Sequence, residues 1–330
     1  MTLTWQVALL LTVPQLGWAS PATAATPSVS QSNNAPEIPR DKGYLVKQIR
    51  DGLYWLTDGA YGTIFLVYAK GVIAVDPLPT LGPRYLKAIS EVTDKPVTHV
   101  VYSHEHTDHI GAADLFPKNA IVIAQKETAE ILARRKDPRR PVPKVTFDKS
   151  YTLKAGEQTL VLEYKGINHE LGNIFIYAPR QKVLMLVDVV YPGFMPYKNL
   201  GIAEDVQGYI RAHADALTYD FDVFVGGHVS RLGTRKDVET AAQFVDELRS
   251  TAVSVLGLDF PSYIKAHPAS DKWSLHNEYE KELTEKCYAE LLPRWASRLA
   301  DSETYLRDNC WAMIEAQVVQ LAPPERLGNR

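Results

Sequence analysis

Seven consecutive residues constrain this chain more than any other feature: Ser103-His104-Glu105-His106-Thr107-Asp108-His109, entered from the apolar run Val97–Tyr102 and left through Ile110-Gly111-Ala112-Ala113. Three imidazoles and an aspartate at the end of a predicted strand would each need a polar partner if they were buried, because an unpaired buried polar group is costly. A divalent cation supplies those partners at once. His104 and His106 lie two apart, so on an extended segment they point to the same side and can grip one ion. Asp108 and His109 arrive as the chain turns into a helix and face a different point. The spacing therefore predicts two metal positions, each completed from elsewhere in the chain.

The surrounding pattern says what carries the cluster. Short apolar runs at Leu53–Thr57, Thr63–Ala69, Val72–Asp76, Val97–Ser103 and Ile121–Ala124 read as buried strands, with helical spacing at Arg84–Thr93 and Lys126–Arg135 between them. A second set of strands is predicted at Gln158–Lys165, Ile174–Ala178, Val183–Val187 and Phe221–Val225. Two strand-rich halves with helices outside predict a sandwich of sheets in a mixed α/β fold. Three further candidate ligands sit beside these strands, where sheet proteins gather functional groups. His169 lies in the polar stretch Gly166–Asn173, Asp188 ends the run Val183–Val187, and His228 follows Val223–Gly227.

Together these residues resemble the metallo-β-lactamase-fold hydrolases. Asp76 looks like the family's first-motif aspartate, His104-x-His106-x-Asp108-His109 like its signature, and His169, Asp188 and His228 fall in the order of the remaining motifs. The likeness covers about Tyr44 to Thr234. It implies a four-layer αββα sandwich over residues 42–235, followed by a helical extension over 236–330. It also implies a dinuclear site: His104, His106 and His169 on one metal, Asp108, His109 and His228 on the other, Asp188 bridging, and Asp76 orienting the site from behind. Imidazole and carboxylate ligands suit zinc, and iron or manganese would also be accepted. The expected chemistry is hydrolysis of an ester, lactone or β-lactam-type carbonyl by a hydroxide held between two cations, with Asp108 orienting it and relaying a proton. An aspartate at 188 resembles the lactonase and thioesterase branches more than the dedicated β-lactamases. Two competing readings are an iron-dependent oxidoreductase of the persulfide dioxygenase type, which would use mainly His104, His106 and His169, and a non-catalytic metal-binding module, which would be expected to have lost ligands.

Composition narrows the partners. With 36 basic and 39 acidic side chains the formal charge is −3, which offers no field for a phosphate backbone, so a small-molecule substrate is expected and nucleic acid is not. The aromatic loop Tyr191-Pro192-Gly193-Phe194-Met195-Pro196-Tyr197 is a candidate pocket wall, with Tyr191, Phe194 and Tyr197 as substrate contacts. His99, His213, His267 and His276 fit no ligand context, and the charged stretch Arg134–Arg140 reads as a solvated loop. At the amino end, the apolar run Trp5–Val13, then Pro14 and small residues through Ala25, reads as a signal peptide (1–25) with a flexible leader over 26–41. The run is too short for a membrane anchor, and a periplasmic or secreted location is expected. In the extension, Tyr279, Leu283, Cys287, Leu291, Trp295 and Leu299 make a helical ladder, and a last helix runs through Leu306, Cys310, Met313, Ile314 and Leu321. These stripes suit a cover for the sandwich, a cap on the site or a homo-oligomer contact. A hairpin turning near Asp301 would offset Cys287 and Cys310 by about 9 Å along the axis, which favours free thiols, while a kink at Pro293 would bring the two into disulfide reach and leaves the bond open.

Overall fold

The computed structural model describes residues 35–257, 260–267 and 271–320; the expected signal peptide, most of the leader and Leu321 lie outside them. Seven strands form the first sheet in sequential order: β1 (Leu45–Arg50), β2 (Leu53–Thr57), β3 (Gly62–Tyr68), β4 (Gly71–Val75), β5 (Val97–Val101), β6 (Ile121–Gln125) and β7 (Val145–Phe147). β1 to β4 pair antiparallel and β4 to β7 parallel. The second sheet has five strands, β8 (Ser150–Ala155), β9 (Gln158–Glu163), β10 (Phe175–Ala178), β11 (Val183–Leu186) and β12 (Val223–Val225), with β11 and β12 parallel.

Both sheets are covered on both faces, which is why β3, β4 and β11 read as unbroken apolar runs instead of alternating. Leu53, Ile64 and Val75 of the first sheet meet Leu160, Ile176 and Val187 from the second in the central layer. On the first sheet's outer face lie α1 (Pro83–Ser90), α2 (Thr107–Ile110) and α3 (Lys126–Arg135), through Tyr85, Ile110 and Leu132. The second sheet's outer face, with Phe175, Leu184 and Phe224, is covered by α4 (Lys198–Ile202), α5 (Val206–Ala216), α6 (Arg235–Val255), α8 (Lys272–Trp295) and α9 (Ser302–Val319), with the short α7 (Phe260–Ala266) against α8. The result is the expected αββα sandwich with carboxy-terminal helices. No helix among the described residues is long and apolar enough to cross a membrane.

Two expectations are corrected here. Cys287 and Cys310 form a disulfide, with Cα atoms 5.9 Å apart. The connection between α8 and α9 runs from Ala296 to Asp301 instead of turning at Asp301 itself, so each cysteine stands eight residues from its own helix end and the two come level. The stretch Arg134–Arg140 is only partly solvated: Arg140 is buried, donating to the Glu105 carboxylate at 3.0 Å, and Arg135 reaches the same carboxylate at 2.8 Å.

Candidate metal centre

The edge where β4, β5, β11 and β12 all end carries the site, because parallel strands deliver their following loops to one side. β5 passes through Tyr102 and Ser103 into His104, Glu105 and His106, and α2 then presents Asp108 and His109 from its single turn. Asp188 comes two residues after β11, held at φ 62°, and Asp76 directly after β4, at φ 41°; both adopt the left-handed conformation that aspartate tolerates better than most residues. After β12, Gly227 takes φ 85°, and a Cβ there would sit 2.6 Å from Val187 Cγ1, so only glycine lets His228 come forward against the sheet end.

These loops bring all seven expected ligands together. His104, His106, His169 and Asp188 form one set of mutually close ligand atoms, and Asp108, His109 and His228 form another. One Asp188 oxygen lies 3.1 Å from His109 Nε2, 3.4 Å from His169 Nε2 and 3.5 Å from His104 Nε2, while its other oxygen is 2.9 Å from His228 Nε2. The carboxylate therefore stands between the two sets. His106 Nδ1 faces His169 Nε2 at 3.1 Å, and His109 Nε2 faces His228 Nε2 at 3.1 Å. Ring nitrogens turned toward one another at a largely enclosed point, with His104 Nε2 lacking any hydrogen-bond partner, are what a cation-binding donor set requires. The residues fit divalent metal ions.

The protonation pattern carries the same strain. Burial, reinforced by the other imidazoles, holds His104 well below the ordinary histidine value, and burial takes His169 down to about 4. Burial opposes charge on His109 as well, but the Asp188 carboxylate overrides it and raises that ring to about 9. Asp188 is pushed up by burial and pulled much further down by His109 and His228, so it remains a carboxylate.

Partners behind the ligands fix their rings, and most of them escaped the sequence reading. His106 Nε2 meets Glu170 Oε2 at 2.8 Å, which leaves Nδ1 free to face the centre. The other Glu170 oxygen accepts the Glu105 N–H at 2.9 Å, and Arg135 and Arg140 hold the Glu105 carboxylate in turn. His104 Nδ1 lies 2.9 Å from Ser103 Oγ, which donates to Asp76 Oδ2 at 2.6 Å, while Asp76 Oδ1 accepts the Ser103 N–H. Asp76 thus acts through Ser103; burial lifts its pKa to about 6. Asn168 and Asn173 brace the His169 loop, with Asn173 Nδ2 donating to Asn168 Oδ1 and to the Val187 carbonyl. Tyr61 packs at a tilt against His228 with ring centres 4.5 Å apart and points its hydroxyl at Asp108 Oδ2, 3.3 Å away. Glu170 carried one usable signal, a carboxylate next to a candidate ligand; Tyr61 carried none.

The centre opens into a cleft of about 580 Å³. Tyr191, Phe194 and Tyr197 line it as expected of a pocket wall, joined by Tyr61, Ile202 and, from the start of α9, Asp301 and Tyr305. His99, His213, His267 and His276 stay out of it: His213 is buried with Nδ1 on the Tyr209 carbonyl, and His276 pairs with Glu280.

Residues 57–249 match the family model described as the metallo-beta-lactamase superfamily. The alpha subunit of 2,4-dinitroanisole O-demethylase from Nocardioides sp. (strain JS1661) is 28% identical over 239 residues, spanning 70% of this chain and 72% of that subunit. The type 2 metallo-beta-lactamase of Elizabethkingia meningoseptica is 27% identical over 152 residues, 42% of this chain and 59% of the enzyme. Among solved structures, a metallo-beta-lactamase from Pontibacter korlensis superposes with a TM-score of 0.53 at 21% identity, covering 62% of this chain and 99% of its own. The inverting sec-alkylsulfatase Pisa1 from Pseudomonas sp. superposes with a TM-score of 0.60 at 17% identity over 91% of this chain and 56% of its own. At these identities the structural likeness is one of fold.

Proposed function

Because this chain belongs to the metallo-beta-lactamase superfamily and is a metal-dependent hydrolase, we propose that it holds two divalent ions, zinc by donor chemistry, and hydrolyses an ester or lactone carbonyl. The observation that carries this reading is the Asp188 carboxylate standing between two ligand sets. His104, His106 and His169 would hold one ion, Asp108, His109 and His228 the other, with Asp188 shared. Such ions supply a water acidified toward neutral pH and positive charge opposite a developing oxyanion.

The side chains supply the rest. Asp108, partly exposed at the cleft floor, accepts a hydrogen bond from the attacking water and orients it toward the acyl carbon. As the water oxygen bonds to the acyl carbon, the Asp108 carboxylate takes the water's proton, and as the carbon–oxygen bond of the leaving group breaks, it passes that proton to the departing alkoxide. Tyr61, whose pKa is pushed up to about 12 by burial and the Asp108 charge, stays protonated and holds Asp108 by donating to it. Tyr191, Phe194 and Tyr197 exclude water around the acyl or aryl group. A second reading, removal of an O-alkyl group from an aryl ether, draws on the aromatic cleft and on the named activity of the Nocardioides relative. The Cys287–Cys310 disulfide supports an oxidising, extracytoplasmic location.

The test is to count metals in the purified protein and to assay it with ester, lactone, aryl ether, β-lactam and sulfate ester chromogens. Two ions per chain, with turnover abolished and metal content lowered in His106→Ala, are expected. Full turnover in that variant overturns the site.

A further inference from the structure

α4 is a helix of the wrong hand. Asn199, Leu200, Gly201 and Ile202 have φ values of 53°, 57°, 68° and 60°, four consecutive residues in left-handed space, two of them, Leu200 and the β-branched Ile202, with side chains that disfavour it. Such a turn persists only where its surroundings over-determine it. Here Asn309 on α9 does so: its side-chain oxygen accepts the Leu200 N–H at 2.7 Å and its amide donates to the Pro196 carbonyl at 2.9 Å, with Asn309 itself fully buried. Gly201 seats the turn against the centre, where a Cβ would come within 2.6 Å of Tyr191 Oη and 2.9 Å of the Asp188 carbonyl. The turn's outcome is the placement of Ile202, which is 60% exposed and yet lines the cleft mouth.

Charge completes the picture. Among the described residues lining the cleft there is no lysine or arginine, while Asp301 adds a carboxylate at the Tyr305 side and Tyr197 meets Tyr305 edge to face, ring centres 5.4 Å apart. An anionic substituent reaching past the metal ions would meet aromatic faces, an isoleucine and a negative charge, with no fixed cation to pair with it.

We propose that the left-handed turn Asn199–Ile202, locked by Asn309, is the specificity wall of the site, and that it selects an uncharged substrate whose aromatic or aliphatic portion packs between Ile202 and the Tyr197–Tyr305 pair. Ile202 is the contact and Asn309 the positioning residue that acts through it. This rests on the hydrolase reading for turnover but not for binding, so the experiment has two arms. In the first, saturation-transfer NMR on the metal-loaded protein compares 4-nitroanisole with 4-nitrobenzenesulfonate, an anion that coordinates divalent ions far more weakly than a carboxylate does. The neutral ring is expected to bind at least about tenfold more tightly, and Ile202→Asp to lose that preference with metal content and circular dichroism unaltered. In the second, 4-nitrophenyl butyrate hydrolysis is expected to show KM raised about tenfold in Ile202→Asp with kcat within about twofold, the signature of a lost contact common to ground and transition states. Asn309→Leu, which deletes both hydrogen bonds, is expected to raise KM likewise, and Asn309→Asp, which keeps the acceptor for Leu200, to recover part of it. Absence of turnover with intact neutral-ring binding would sink the hydrolase reading and leave the wall standing. Equal binding of the two rings, or an Ile202→Asp variant that binds the neutral ring as wild type does, overturns the wall.

Discussion

Glu170→Gln tests how the centre is built more sharply than deletion of a ligand, because it changes one atom and no volume. Glu170 uses both oxygens as acceptors, Oε2 from His106 Nε2–H at 2.8 Å and Oε1 from the Glu105 N–H at 2.9 Å. A glutamine has one acceptor and cannot serve both. If its oxygen stays with Glu105, its NH₂ faces His106 Nε2 and forces the proton to Nδ1, the atom that looks toward His169 and the centre. If the amide turns over, His106 keeps its tautomer but the buried Glu105 N–H faces another donor, at about 1–3 kcal/mol. Either way binding at the His104–His106–His169 set is opposed, and the expected loss is the 10- to 100-fold range typical of partners behind metal ligands, about 1.4–2.8 kcal/mol. Competition with a chromophoric chelator measures it. Folding without metal should change little, since burial and then the neighbouring Glu170 charge raise the Glu105 carboxyl, and the substitution removes that neighbouring charge. A variant that binds metal as tightly as the wild type, or that loses affinity only because the metal-free chain has melted, refutes the tautomer argument.

Reducing the Cys287–Cys310 bond releases a loop with a separation of 23 residues, and by chain entropy the stability loss should be about 3 kcal/mol; urea unfolding of oxidised protein against a Cys287→Ser/Cys310→Ser variant reads it, and coincident curves would mean the helices hold alone. At the start of α6, Asp237 accepts from the Thr234 backbone and hydroxyl and from Arg231. Burial works against its charge, but these donors carry its pKa below the usual 3.8. A depressed carboxylate contributes stability that is present above the unfolded value and lost as pH falls through the folded one. Asp237→Asn should therefore cost about 1–2 kcal/mol at pH 7 and progressively less below pH 4; an equal cost at pH 7 and pH 3 would show that shape, not charge, is what Asp237 supplies.

What could be read from the chain beforehand follows from where each element sits. The β3, β4, β9 and β11 runs and α3 are legible because both faces, or one regular face, are buried and the pattern is apolar and dense. β1 and β8 are the outermost strands of their sheets, and their polar spacing, LVKQIR and SYTLKA, is what an edge exposed to water needs, so it does not stand out. α5 is similarly quiet: Val206, Tyr209, Ala212 and Ala216 hold its buried face with small and polar residues, and Gly208 is there because the Ile167 carbonyl lies where its Cβ would be.

The site divides the same way, and the division has a cause. Ligands that bunch in sequence, His104 to His109, announce themselves because like donors crowded on one turn have few other uses. The residues that aim them are distant in the chain and ordinary in kind: Glu170 is 64 residues from His106, and Asn309 is 109 from Leu200. A carboxylate becomes a tautomer lock, and a buried asparagine a clamp on a left-handed turn, only through the tertiary contact, so no local pattern can encode either role. Substrate choice sits in this second class. The metal donors are common to many hydrolytic chemistries, whereas the cleft wall is assembled from a turn after β11 and a helix start beyond residue 300. Exchanging wall residues at 197, 202 and 305 should accordingly redirect specificity while metal stoichiometry stays put, and a wall exchange that changed the number of bound ions would show that the two classes are not separable in this molecule.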